Sequence, residues 1–317
     1  MQRLLTRLAL CLVALPGVAA RGGEDAKSPE AGPRFVRIGH YQCVVRQGDF
    51  QANLKKLLEG LRLARDARLD VVSFPESFLT GYFAREADAR AHAFAIDSPE
   101  MKRVLKETAD VPILFLAGFN ELRGQKLYNT VAVVDRGKLL GCYSKAMPCF
   151  SYFTPGRAFP VFEHRGLKFG VVICADGGYI EPARILALKG AQLIFAPHYN
   201  FVGDPVKHYQ MVRNDHVARA IENGVYFLRG NNVVPGSKLE GFPRPGVGYG
   251  DSYLLDPHGE IVAGAGLGEE YLMIYNLDLK KKYRNRPNAR SIRSARELLP
   301  QLEEALRPVH RPSGRVP

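Results

Sequence analysis

Three residues whose side chains could cooperate in covalent chemistry stand just past apolar runs. Glu76 follows Val71-Val-Ser-Phe-Pro75, and Lys145 follows Tyr143-Ser144. Cys174 closes the uninterrupted run Phe169-Gly-Val-Val-Ile173 and opens Ala175-Asp176-Gly177-Gly178, which must turn sharply before a helix. A nucleophile on a tight strand-to-helix turn is offered to substrate while neighbouring backbone N–H groups face the same point. Each feature also has a plainer reading. A cysteine ending a core strand is commonly a packing residue, and a single acid or amine past a strand is commonly a solvated loop charge. Together they are a set: a carboxylate can deprotonate a thiol, and an ammonium can steady the oxyanion that forms when the thiolate adds to a carbonyl.

The elements that must position these groups alternate along the chain. Strand-like runs occur at Phe35–Val45, Leu69–Phe74, Val111–Gly118 and Thr130–Val134, and again at Leu167–Ile173 and Ala191–Ala196. Helical spacing of apolar residues occurs at Asn53–Ala67, Ser98–Thr108, Pro182–Lys189 and Val206–Asn223, the last ended by Asn223-Gly224. Asp135-Arg-Gly-Lys138 and His164-Arg-Gly166 are hairpin turns. Late strands are expected at Val225–Leu228, Ser252–Leu255, Ile261–Ala263 and Leu272–Leu277. Such alternation predicts a single α/β domain with helices covering sheet. In sheets of this class ligands gather at the carboxyl ends of strands, where Glu76, Lys145 and Cys174 would lie.

These residues resemble the motifs of the nitrilase superfamily, the carbon–nitrogen hydrolases. Phe74-Pro-Glu76-Ser-Phe-Leu-Thr-Gly-Tyr82 is similar to the family's Glu motif, Tyr143-Ser-Lys145 to its Lys motif, and Gly170-Val-Val-Ile-Cys174-Ala-Asp176 to its Cys motif. Glu181, Arg184, Arg219-Ala-Ile-Glu222-Asn223 and Asp256-Pro-His-Gly259 fit the same frame. The resemblance covers roughly residues 34–280. It implies a four-layer α-β-β-α sandwich, a Glu76-Lys145-Cys174 triad, no metal or organic cofactor, and a homodimer or higher homo-oligomer. The implied reaction is hydrolysis of a small amide or N-carbamoyl (ureide) substrate through a thioester, with the Ala175 N–H beside the oxyanion. Tyr82, Phe150, Tyr152, Tyr179 and Tyr199 are the candidate pocket residues. The pattern departs from the family in places. Ala146–Pro155 contains no acid where the family often has a second Glu, and Ile180 replaces a usual proline. Cys174-Ala175-Asp176 differs from the Cys-Trp-Glu of true nitrilases and leans toward the amidase and carbamoylase branches. A true nitrilase, or an inactive binding or scaffold protein on the same fold, are the alternatives.

Charge and composition bound the remaining readings. The chain has 317 residues and a formal net charge of +12. Residues 280–317 carry 11 Lys/Arg against 3 Asp/Glu, whereas residues 21–279 carry 31 against 29. The basicity belongs to the tail, so the body is not a nucleic-acid surface. The longest charge-free apolar run, Leu8–Ala20, is too short to span a membrane, which takes about 20 residues. With Arg3 and Arg7 before it and Val18-Ala-Ala20 at its end, it reads as a cleaved export signal. The expected organisation is signal 1–20, disordered lead 21–33, hydrolase domain 34–280 and basic tail 281–317 with a helix at Ser294–Leu306. The mature chain would work outside the cytoplasm. It would keep Cys43, Cys142, Cys149 and Cys174, with Cys142 and Cys149 either bridged or separate thiols. His208 and His216 are eight apart, not the three or four of a helical metal pair.

Overall fold

Alternating apolar residues build the strands in chain order. The computed structural model describes residues 33–283, 288–305 and 307. The expected signal and nearly all of the lead lie outside the described residues, as does part of the tail. The first strands are β1 (Phe35–Gln42), β2 (Val71–Ser73), β3 (Leu114–Arg123), β4 (Lys126–Asp135) and β5 (Lys138–Ser144). Then come β6 (Phe162–His164), β7 (Leu167–Val171), β8 (Leu193–Pro197) and β9 (Tyr226–Gly230). A short ribbon, β10 (Val233–Val234) and β11 (Gly248–Tyr249), precedes β12 (Tyr253–Leu255), β13 (Ile261–Gly264) and β14 (Tyr271–Asp278). The helices are α1 (Phe50–Asp66), α2 (Glu86–Ala91), α3 (Pro99–Glu107), α4 (Ile180–Leu188), α5 (Pro205–Asn223) and α6 (Asn288–Ala305).

Two six-stranded sheets result, ordered β14-β1-β2-β3-β4-β5 and β13-β12-β9-β8-β7-β6. Within them β1, β2 and β3 run parallel, as do β7, β8 and β9. Residues from both sheets share one core: Val36, Ile38, Leu116 and Val131 meet Phe169, Val171, Phe195 and Leu228. On the outer face of the first sheet, Leu54, Leu57 and Leu61 of α1 and Met101 and Val104 of α3 pack on Val72, Phe115 and Val134. On the outer face of the second, Ala183 and Leu186 of α4 and Ala220 of α5 pack on Val172, Ile194 and Phe227. The architecture is therefore the expected four-layer α-β-β-α sandwich. Among the described residues no helix is long and apolar enough to cross a membrane.

Caps and turns fall where side chains demand them. Ser98 accepts from Met101 N at the start of α3, and Gly224 ends α5 at φ 61°. Arg136-Gly137 and Arg165-Gly166 turn with positive φ between β4 and β5 and between β6 and β7. Some differences are instructive. β1 stops at Gln42 rather than Val45, because Val44 leaves β14 and bridges Val233 of the other half. β7 stops at Val171, which frees Val172 and Ile173 to lead into the Cys174 turn. In the tail, α6 starts at Asn288 and runs through Pro300 instead of starting at Ser294.

His40 on β1 ties the halves together. Its ring bonds Ser73 Oγ at 2.9 Å and Asn231 O at 3.1 Å, fully buried. Burial pushes its pKa from 6.5 down to about 4. Between those values the unfolded chain takes up a proton that the folded chain refuses, so stability is lost as pH falls from about 6.5 to about 4. That gap is worth about 3 kcal/mol, and buried His198 and His216, shifted the same way, add to it. Urea unfolding midpoints should drop between about pH 7 and about pH 4.5; a midpoint constant across that range would contradict the assignment.

Candidate active site

Sheet topology brings the three chemical residues together. Glu76 lies past the end of β2, Lys145 directly follows β5, and Cys174 follows β7 in the facing sheet. Lys145 Nζ lies 2.7 Å from Glu76 Oε1, and both side chains are sealed from solvent at 1% and 0% exposure. The same oxygen accepts from Asn129 Nδ2 at 2.7 Å, while Oε2 accepts from the Tyr199 backbone N–H at 2.8 Å. The Glu76 N–H in turn donates to His198 O at 3.2 Å. The loop after β2 and the end of β8 therefore hold one another across the two sheets. Ser77 beside Glu76 has φ 49°, and Gly118 of β3 passes so close that a Cβ there would stand 2.5 Å from Ser77 N. No side chain can occupy that position without displacing the glutamate.

Cys174 adopts φ 48°, a strained left-handed conformation for a residue with a side chain. It opens a 3₁₀ turn, Cys174–Gly178, and is only half-buried. Ala175 is the second residue of that turn, and its N–H belongs to the group that a helical turn leaves without an internal partner. Asp176, fully buried, fastens the turn. Its carboxylate accepts from Tyr143 Oη at 2.7 Å, Met147 N at 2.7 Å and Ile173 N at 2.9 Å. It thus joins the strand before Lys145, the loop after Lys145 and the residue before Cys174. Burial pushes its pKa up, against the opposing pull of Lys145 and these three donors.

Two cysteines, not one, face the lysine. Cys149 Sγ is 3.7 Å from Lys145 Nζ, and the Cys149 thiol lies beside that of Cys174. In the acid-free loop, Cys149 supplies the loop-side contact to the lysine. The pair shares a proton. The hydrogen bond between the sulfurs, aided by the Lys145 charge, lowers its first ionisation to about 6. That same bond, with burial, holds the second well above the ordinary thiol range. Burial works against charge on Lys145, but the electrostatic pull of Cys174 and Glu76 outweighs it and keeps the ammonium protonated. Cys43, Cys142, Cys149 and Cys174 are all unbridged. Of the two alternatives for Cys142 and Cys149, separate thiols hold, although Cys149 is exposed rather than buried.

The candidate pocket residues divide. Tyr82 stacks on Tyr199 at 5.4 Å and lies 5.6 Å from Phe150, which stacks on Tyr152 at 5.4 Å. The Tyr82 hydroxyl also lies beside Cys149. Phe242 completes this array, 6.5 Å from Tyr82. Tyr179 does not join it. That side chain is 49% exposed, and among the described residues no ring contact links it to the other four. Its backbone caps the 3₁₀ turn through Asp176 O, which fixes the residue at the start of α4 and leaves the ring at the surface. Gln47, Asn129, Cys149, Asp176 and Phe242 are the residues whose roles the sequence reading missed. Asn129 had a signal: it is a lone amide on the apolar face of β4, paired with Asn120. His208 and His216 are bonded to Tyr249 Oη and Tyr253 Oη, and the His216 ring packs edge-on against His198 at 5.0 Å. Among the described residues no group of three or more His, Cys, Asp or Glu side chains is arranged to hold a metal ion.

The carbon-nitrogen hydrolase family pattern matches residues 37–285, the whole two-sheet body. The chain belongs to the carbon–nitrogen hydrolase family. Its amidase-named relatives are consistent with the amidase and carbamoylase branch of the nitrilase superfamily. It is 29% identical to the N-carbamoylputrescine amidase of Solanum tuberosum over 274 residues, 78% of this chain and 88% of that one. It is 31% identical to the glutamine-dependent NAD(+) synthetase of Thermotoga maritima over 262 residues, of whose length it spans only 43%. The amidase of Nesterenkonia sp. AN1 shares the fold, with a TM-score of 0.67 at 22% identity, covering 86% of this chain and 99% of that one. That structure shows the acetamide moiety of fluoroacetamide added covalently at its active-site cysteine.

Asp176→Asn keeps the shape of the side chain but removes a charged acceptor. It should lower stability by about 1.5–3 kcal/mol and reduce kcat about tenfold or more with a smaller change in KM. Chemical denaturation and steady-state kinetics on amide substrates check both; a variant with wild-type kcat would show that the carboxylate does not position the site.

Proposed function

We propose that the protein hydrolyses small amides or N-carbamoyl compounds through a thioester on Cys174. The observation that carries this reading is the water-excluded Glu76–Lys145 pair, 2.7 Å apart, in one cluster with a half-buried cysteine on a strained turn. Cys174 sulfur adds to the carbonyl carbon, and Glu76 takes the thiol proton. The oxyanion lies between Lys145 Nζ and the Ala175 N–H. Glu76 passes its proton to the leaving nitrogen, so ammonia or an amine departs. Glu76 then deprotonates a water, which attacks the thioester and releases the acid and the thiol. Tyr82, Phe150 and Tyr199 wall the acyl side with aromatic surface.

Loss of an oxyanion donor costs about 10²–10³ in rate. Lys145→Ala should lose at least that much kcat, with a stability loss of about 3–5 kcal/mol because Glu76 is left buried and unpaired. Cys174→Ala should remove turnover and keep the fold. Ammonia release over a panel of amides, ureido acids and nitriles, with circular dichroism of each variant, tests this. Turnover retained by Cys174→Ala sinks the thioester, and turnover confined to nitriles returns the nitrilase alternative. An unbridged Cys174 favours the enzyme over the inactive scaffold.

We also propose that the chain is exported and self-associates as a homodimer, on the support of the Arg3–Ala20 pattern and of the family resemblance. Protein recovered from an exporting host should begin near Arg21 and show twice the mature mass in light scattering. An N-terminal Met1 or a single-chain mass would overturn the corresponding half.

A further inference from the structure

The proposed reaction leaves one nucleophilic group in the site without a task. Cys149 lies four residues past Lys145 in the loop that contains no acid. Its Sγ is 3.7 Å from Lys145 Nζ, and its thiol lies beside the Cys174 thiol and the Tyr82 hydroxyl. The meeting is built by the fold. Met147 N, two residues before Cys149, and Ile173 N, one before Cys174, both donate to the Asp176 carboxylate, at 2.7 and 2.9 Å. One buried acid thus clamps the two cysteine-bearing segments together. The two residues differ in access: Cys149 is exposed, and Cys174 is half-buried. The other described cysteines stand elsewhere. Cys43 is sealed in the core, and Cys142 of β5 pairs with Ala132 of β4, among the charges of Glu121 and Arg123.

We infer that Cys149 and Cys174 form a reversible oxidation site, in which a hydroperoxide oxidises Cys149 and the two sulfurs then close a disulfide that withdraws Cys174 from catalysis. In the first step the Cys149 thiolate attacks a peroxide oxygen. The O–O bond breaks, a sulfenic acid forms on Cys149, and hydroxide or alkoxide leaves. In the second, the Cys174 sulfur attacks the Cys149 sulfur. The S–S bond forms, the S–O bond breaks, and hydroxide departs with the Cys174 proton as water. Two thiols lose two electrons in all, and one peroxide bond gains them. A dithiol reverses the process by two exchanges and ends as its own cyclic disulfide. The first ionisation of the pair at about 6 makes a thiolate available at neutral pH, and exposure puts Cys149 first in reach. Closure spares Cys174 from the irreversible sulfinic and sulfonic states. The loss of activity rests on Cys174 being the nucleophile, whereas the bond itself does not.

The test uses the full chain, hydrogen peroxide, alkylation of remaining thiols and tryptic digestion without reduction. Cleavage after Lys145 places Cys142 in 139–145, Cys149 in 146–157 and Cys174 in 169–184, so the linkages are separable by mass. The expected result is a 146–157/169–184 linked pair, with hydrolysis reduced about tenfold or more and restored by dithiothreitol. Cys149→Ser should instead accumulate sulfinic and sulfonic Cys174, and dithiothreitol should restore little of that variant's own starting activity. No linked pair in wild type at peroxide that consumes both thiols would overturn the inference. So would full dithiothreitol recovery in Cys149→Ser. A linked pair in protein that hydrolyses nothing supports the oxidation site while overturning the proposed reaction.

Discussion

A lysine and a glutamate sealed from water set the constraint around which the site is built. Taking both charges out of solvent is costly, and their attraction offsets the cost only if geometry is tight and the spare lone pairs are filled. The structure meets that demand around Glu76. Lys145 and Asn129 occupy one oxygen, and the Tyr199 N–H occupies the other. Those three partners come from the segment after β5, from β4 and from the segment after β8, so the pair binds both sheets to one point. Gly118 and the left-handed Ser77 follow from the same requirement, because the chain must bend tightly to drive Glu76 inward.

Around this pair the site is assembled by buried polar groups that act between segments. Asp176 does for the nucleophile turn what Asn129 does for the glutamate. It accepts from three segments and is buried away from bulk solvent. Gln47 clamps the aromatic side in the same manner, accepting from Tyr82 N at 2.9 Å and from Tyr199 Oη at 3.5 Å. Fully buried Arg229 holds Asn200 Oδ1 at 2.6 Å and Gly250 O at 2.9 Å, securing the segments that follow β8 and β11. Low dielectric makes each such bond strong and each missing partner expensive, which confers rigidity on a site built largely from strand ends and loops.

The acid-free loop shows how a departure from a family pattern can be absorbed. With no carboxylate between Ala146 and Pro155, Cys149 takes the position beside the lysine. A thiol there couples to Cys174, so that the two sulfurs ionise in widely separated steps. The substitution therefore changes the electrostatics of the site as well as its packing.

Local signals were sufficient for much of this protein. Alternation, caps and Gly turns marked β1 to β9, α1, α3, α4 and α5, because propensity and burial agree along those segments. Short elements such as α2 and the β10/β11 ribbon carry too few residues for a period to register, and they form only through pairing with distant chain. Glu76, Lys145 and Cys174 were legible because each follows an apolar run, and strand ends are where such sheets gather ligands. Tyr82, Phe150, Tyr152 and Tyr199 were legible as aromatics near those ends, whereas Tyr179 satisfied the same criterion and stands at the surface. Tertiary structure alone decided which thiol meets which. Cys142, Cys149 and Cys174 look alike as spacings, yet the partner of Cys149 lies 25 positions on, across the gap between two sheets. The contacts of Asp176, Asn129 and Gln47 are hidden for the same reason: a hydrogen bond between distant segments depends on where the sheets place them, and no local pattern encodes that distance.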